Sequence, residues 1–127
     1  MKEAYVSYEI AKLLKKKGFD ERTLYHYTNC DVLQHNIVYN QYKNSEMLNA
    51  CSAPTHQMAM AWLREIYDLH IIAYPFKSDN DTSTKHYCCQ VFKTFNLLGH
   101  EKYTNETLIS YEEAVEAALK YCLENLI

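Results

Sequence analysis

HIIAYPF at residues 70–76 and YCCQVFKTF at residues 87–95, joined by the polar run KSDNDTSTK at residues 77–85, decide the fold. Both apolar segments are rich in aromatic and β-branched residues, the composition of strands. The run between them holds no core residue and is short. Such a connection suits an antiparallel hairpin, because parallel pairing needs a long crossover, usually a helix. Pro75 has no N–H to give to a ladder, which puts its end of the first strand at an edge or exit. By alternation, Ile72, Tyr74 and Phe76 share one face of the first strand, and Ile71 and Ala73 take the other. The second strand divides Tyr87, Val91 and Phe95 from Cys88 and Phe92. Neither strand alternates apolar with polar residues as a sheet with one wet face does, so both faces require cover.

Helical patterns flank the hairpin. Residues 97–107 read as a second surface connection, and Ser110-Tyr111-Glu112-Glu113 then forms a capping box. Tyr111, Val115, Ala118, Leu119, Cys122, Leu123 and Leu126 recur at helical spacing, which predicts a helix over 111–125. Upstream of the hairpin, Ser52-Ala53-Pro54-Thr55 reads as a helix opening, with Ser52 as cap and Pro54 in the first turn. Ala59, Trp62, Leu63 and Ile66 supply its apolar stripe to about Tyr67. At the start of the chain, Val6, Ile10, Leu13 and Leu14 follow the same period over 7–17, with Ser7 as cap and Gly18 as the left-handed terminator. Leu24–Thr28 is a short β-rich run. Residues 29–50 admit a second strand near 37–42 or a long loop packed by its own tyrosines, and both readings stay open. The expected architecture is one α+β domain spanning 1–127, in the order α-β-(β)-α-β-β-α. Three helices cover one face of a three- or four-stranded, mainly antiparallel sheet.

At 127 residues there is material for one core and not two. Hydrophobic residues at 48% and charged residues at 23% are ordinary for a globular chain. Tyrosine is in excess, with 12 copies against one Trp and four Phe, and its amphipathic ring suits core edges and interfaces. The net charge of −3 counts against general affinity for phosphate backbones. Residues 1–22 carry six Lys/Arg and four Asp/Glu, whereas residues 101–127 carry two Lys and six Glu. Lys15, Lys16 and Lys17 complement the dipole at the end of the first helix. MKEAYVSYEIAKLL holds no long apolar run, so no signal peptide is expected, and no window is long enough to span a membrane. The five cysteines, Cys30, Cys51, Cys88, Cys89 and Cys122, are then expected as reduced thiols in a cytoplasm.

No glycine loop for phosphate, HExxH, CxxC or GxSxG pattern occurs. His86 and Cys88 share a strand face, with His26 and His70 on other strands, but the second tight ligand pair of a zinc site is missing. Beside them, one of Cys88 and Cys89 is expected in the core and the other exposed. Cys51 ahead of the second helix, with His56 near, is the best Cys–His nucleophile pair. The helix–strand–helix–hairpin order also fits a winged helix, yet its reading helix offers only His56, Gln57 and Arg64 beside Glu65. No catalytic, cofactor-binding or metal-binding residue is assigned.

SYEIAKLLKKKGFDE at 7–21, CSAPTHQMAMAWLREIYDLHI at 51–71 and SYEEAVEAALKYCLE at 110–124 resemble, in that order, a group of small uncharacterised proteins encoded by bacterial phages and prophages. The APT-x-Q opening with its WLRE core is the most specific piece, and the three stretches cover about two-fifths of the chain. The resemblance implies a bacterial or phage cytoplasm and carries over no site residues. The expected role is a non-enzymatic interaction or accessory protein, without cofactor, forming a homodimer or binding a host or phage protein. A small nucleic-acid-binding module is the alternative, and a Cys- or metal-dependent enzyme ranks third.

Overall fold

Ser7, Thr55 and Ser110 start the three helices in the computed structural model, which describes residues 3–28, 32–35, 41–76, 86–94 and 110–127. Each hydroxyl accepts the N–H three positions on, from Ile10 at 3.3 Å, Met58 at 3.1 Å and Glu113 at 3.1 Å. These bonds satisfy donors that a helix start leaves orphaned. Helix α1 is Tyr8–Lys16, α2 is His56–Tyr67 and α3 is Tyr111–Tyr121, which runs on as a wider π turn over Cys122–Leu126. The cap of α2 is thus Thr55 and not Ser52. Residues up to Thr55 stay extended, because Tyr5 bridges to Thr55 and the Val6 N–H donates to Pro54 O at 3.0 Å. Gly18, at φ +95°, follows α1 in the left-handed region, where a side chain would be strained although nothing crowds it. Asp68 ends α2 in the same region, at φ 56°.

Among the described residues, five strands form two antiparallel sheets. Strands β1 (Tyr25–Thr28), β2 (Leu33–His35) and β3 (Ala50–Ser52) stand in the order β2-β1-β3. Strands β4 (His70–Phe76) and β5 (His86–Phe92) make the hairpin ladder, from His70 opposite Phe92 to Phe76 opposite His86. The α+β class and the helix–strand–helix–hairpin–helix order are as the sequence indicates, with the strands divided between two sheets. The expected strand near 37–42 falls largely outside the described residues, as do the connections at 77–85 and 97–107 and the end of the last strand at Phe95. Tyr42 pairs with Thr23 in an isolated bridge.

One core cluster draws on all three helices and both sheets. Helix α1 rests on β3, α3 rests on both hairpin strands, and α1 and α2 pack against α3. Ile10, Leu14, Leu63, Val115, Leu119 and Leu123 are buried, and Trp62 meets Phe19 and Tyr67 edge-on at 5.5 and 5.3 Å. Ile66, expected in the α2 stripe, is instead 60% exposed. Leu69 closes that end of the core, with its N–H on Leu63 O. The tyrosines line the edges, with Tyr8, Tyr25, Tyr67 and Tyr111 partly buried against the cluster and Tyr27 within it.

Candidate interaction surfaces

The first turns of α1 and α2 meet the middle of α3 at a polar junction. Glu116 Oε1 accepts from the Ser7 N–H at 2.8 Å and lies 2.8 Å from His56 Nε2. Its Oε2 accepts from the Ser7 hydroxyl, also at 2.8 Å. Burial pushes the Glu116 carboxyl up, but the hydrogen bonds from His56 and Ser7 outweigh it and hold the group below the usual carboxylate range. Facing a carboxylate, which only accepts, His56 Nε2 must be the donor. Serine, histidine and glutamate are the residue types of an acyl-transfer triad, but their order is wrong. A nucleophilic serine gives its proton to histidine, with the acid behind the histidine. Here the acid stands in the middle, and the Ser7 hydroxyl is occupied as the cap of α1. The junction joins three helices, and its order is not that of a triad.

A second polar cluster closes the hairpin base. Asp68 binds His70 Nε2 at 2.8 Å, the Thr94 N–H at 3.0 Å and the Thr94 hydroxyl. These bonds, led by the Thr94 hydroxyl, lower the Asp68 carboxyl to about 2. They also stabilise the left-handed residue between α2 and β4.

The chemical pairs suggested by the sequence come apart in space. Cys51 sits in β3, not at a helix N-terminus, and burial raises its thiol against the pull of Lys15 and Lys12. Its candidate partner His56 is held by Glu116. Cys88 and Cys89 are both buried, at 1% and 0% exposure, so neither is the exposed member the sequence predicts. Cys122 is buried too, with its thiol pushed up to about 12. His70 and His86 stand at opposite ends of the hairpin, about 20 Å apart along the strands, and His26 lies in the other sheet. Among the described residues no group of three His, Cys, Asp or Glu converges on one point. Burial of His56 also leaves the candidate reading helix with Gln57 and Arg64 alone of its set exposed.

Two further surfaces stand out among the described residues. The first is the hairpin face turned away from α3. Ile71, Ala73, Cys89 and Val91 point to the core, so Ile72, Tyr74, Cys88 and Phe92 share the outer face. Ile72 is 51% exposed at its centre, and Tyr74 stands opposite the buried Cys88. Covering Cys88 from water on this side does not complete the face.

The second is a cleft of about 360 Å³ between α1 and the segment leading into β3. Tyr8, Lys12, Lys15 and Lys16 fall at i, i+4, i+7 and i+8, a single stripe of α1, and form one wall. Lys12 Nζ lies 4.5 Å from the centre of the Tyr8 ring, a cation–π contact. Lys15 crosses the cleft and donates to Met47 O at 2.9 Å and Ala50 O at 2.6 Å, fixing the opposite wall. Among the described residues none of the three lysines meets a carboxylate. At the rim stands Leu48, 96% exposed. The segment 48–50 also walls a neighbouring cavity of about 420 Å³ bounded by His26, Tyr42 and Met47.

In the sequence the lysine run is explained by the helix dipole, and its tie to Met47 and Ala50 is missed. The signal available was Tyr8 and Lys12 on the same stripe. Glu116 and Ser7 gave no pairing signal across 109 positions. Comparison with family models, with curated proteins and with solved structures finds no match to the chain.

Proposed function

We propose that the chain is a small non-enzymatic interaction protein that works as a homodimer. The observation that carries the reading is Ile72, half exposed at the centre of the hairpin face that it shares with Tyr74, Cys88 and Phe92. The described residues of that face, His70, Ile72, Tyr74, His86, Cys88, Gln90 and Phe92, include no Lys, Arg, Asp or Glu. Two copies can therefore meet there without like-charge repulsion, although each carries a net −3 elsewhere. A two-fold pairing of one patch with itself is the commonest closed assembly of small chains. Support for a non-enzymatic role comes from the occupied state of the reactive types: Ser7, His56, Glu116, Asp68 and His70 are all engaged in ties between elements. The resemblance to phage and prophage proteins supports an accessory role in a bacterial cytoplasm, with a host or phage protein as a further partner. No helix among the described residues is long and apolar enough to cross a membrane.

The two end segments meet within the chain, where Lys120 of the acidic segment pairs with Glu9 of the basic one at 3.0 Å and Lys17 donates to Ile127 O at 2.9 Å. The dimer reading rests on the hairpin alone. Light scattering at micromolar concentration should give the mass of two chains, and Ile72→Asp should return it to one. A monomeric parent protein removes the homodimer.

A further inference from the structure

We infer that the cleft between α1 and β3 is a docking site for a protein segment carrying an acidic side chain next to an apolar one. The inference rests on the reading of the chain as an interaction protein and names the chemistry of its partner; it does not depend on the dimer. Three observations lead to it. First, the lysines of the stripe lack counter-charges among the described residues, in a chain whose net charge is −3. Ammonium groups gathered on one wall repel one another mildly and favour an incoming carboxylate. Second, the opposite wall is already fixed, since Lys15 holds the carbonyls of Met47 and Ala50. A preorganised wall lowers the ordering cost of binding. Third, Leu48 projects almost fully into solvent on the partition between two cavities, of which one is basic and the other is lined by Met47 and Tyr42. An exposed large apolar side chain beside a concave apolar surface is an interaction feature, and its pairing with charge selects a mixed partner.

A protein segment fits this footprint better than a nucleic acid. The charged set is small and confined to one helix stripe, whereas a phosphate backbone asks for a row of cations. Glu46 also lies in the second cavity, paired with Arg22 at 3.1 Å, and would face the same backbone. A carboxylate placed between Lys12 and Lys16, with a leucine or phenylalanine side chain over Leu48, uses both cavities.

The test is an array of short peptides with one Asp or Glu near a Leu, Ile or Phe, set against matched peptides carrying Lys in place of the acid. Hits are then titrated by fluorescence anisotropy at physiological salt. The acid-bearing peptides should bind, and Lys12→Glu/Lys16→Glu should weaken them by about tenfold or more while strengthening their Lys counterparts. Such a reversal cannot arise from a folding defect. If the double variant loses its fold, Lys16→Gln at an exposed side chain gives the same comparison. Leu48→Asp should also weaken binding, whereas Arg64→Glu, a charge reversal on α2 outside the cleft lining, should leave it intact. The proposal is overturned by an absence of acid preference, by a loss of equal size in Arg64→Glu, or by displacement of the peptides by millimolar inorganic phosphate. Binding of an oligonucleotide that the cleft variants abolish overturns it as well. The mass measured by light scattering is independent of all these outcomes, so a failed dimer and a failed cleft are told apart.

Discussion

Helix α1 carries two polar regions of opposite character. At its first turn, Ser7 is bound through both N–H and hydroxyl to Glu116, and the same carboxylate reaches His56 Nε2, so these atoms are engaged within the fold while the buried His56 Nδ1 has no partner among the described residues. Along its next two turns, Lys12 and Lys16 face a cleft with no carboxylate among the described residues. The residue types at the first region are those of a catalytic site, and those at the second are ordinary for a solvated helix. Their surroundings reverse the expectation. A serine, a histidine and a glutamate hold the architecture, while common lysines are left available to another molecule. The difference shows that what a polar side chain is free to do depends on which partners the fold has already given it.

The contrast can be broken or sharpened by substitution. The largest effect is expected where α3 seats the Glu116 junction on the core. Leu119 is fully buried there, and Leu119→Ala should cost about 2–5 kcal/mol in urea unfolding, as large-to-small core changes do. A cost below about 0.5 kcal/mol, typical of surface sites, would mean that α3 is not seated as described. Next comes the junction itself. Glu116→Ala removes the acceptor of the buried His56 and of two Ser7 donors, with an expected loss of about 1–3 kcal/mol. A carboxyl held lower in the folded chain than in the unfolded one adds stability at pH above its unfolded range, and that contribution fades as pH falls through the folded value. Glu116 and Asp68 are both held low, Asp68 at about 2. Stability should therefore decline from about pH 5 downward, and Glu116→Gln should flatten part of that decline. A parent protein with flat stability between pH 5 and pH 3 would contradict the described bonds. The smallest effect belongs to the cleft, where Lys12→Glu/Lys16→Glu should change stability by less than about 0.5 kcal/mol. A larger loss there would make those lysines structural and end the contrast.

Legibility in the sequence followed locality. The hairpin was readable because its two β-rich segments and the polar run between them are contiguous, and the helix caps because Ser7 and Ser110 stand beside their periodic runs. The start of α2 was misread by three positions. Ser52 and Thr55 are both competent caps, and the choice was made by Tyr5 bridging to Thr55 from a distant part of the chain. Division into two sheets was hidden for the same reason. Strands β2 and β3 are three residues each, too short to show a period, and are defined by pairing with β1. Ile66 fits the α2 stripe by angle, yet the helix end where it sits is closed by Leu69. For the cleft, the lysines were visible and their opposite wall was not, since Met47 and Ala50 lie over 30 positions from Lys15.

Glu116 has a consequence in time as well as in space. Ser7 and Glu116 are 109 positions apart, and Lys17 and Ile127 are 110 apart. On a ribosome adding about 5–20 residues per second, the first helix emerges roughly 5–20 s before the carboxylate that completes its start. Through that interval α1, with Ile10 and Leu14 among its core residues, lacks the contacts it makes with α3. Only when residues 110–127 arrive can the packing of α1 on α3 be completed.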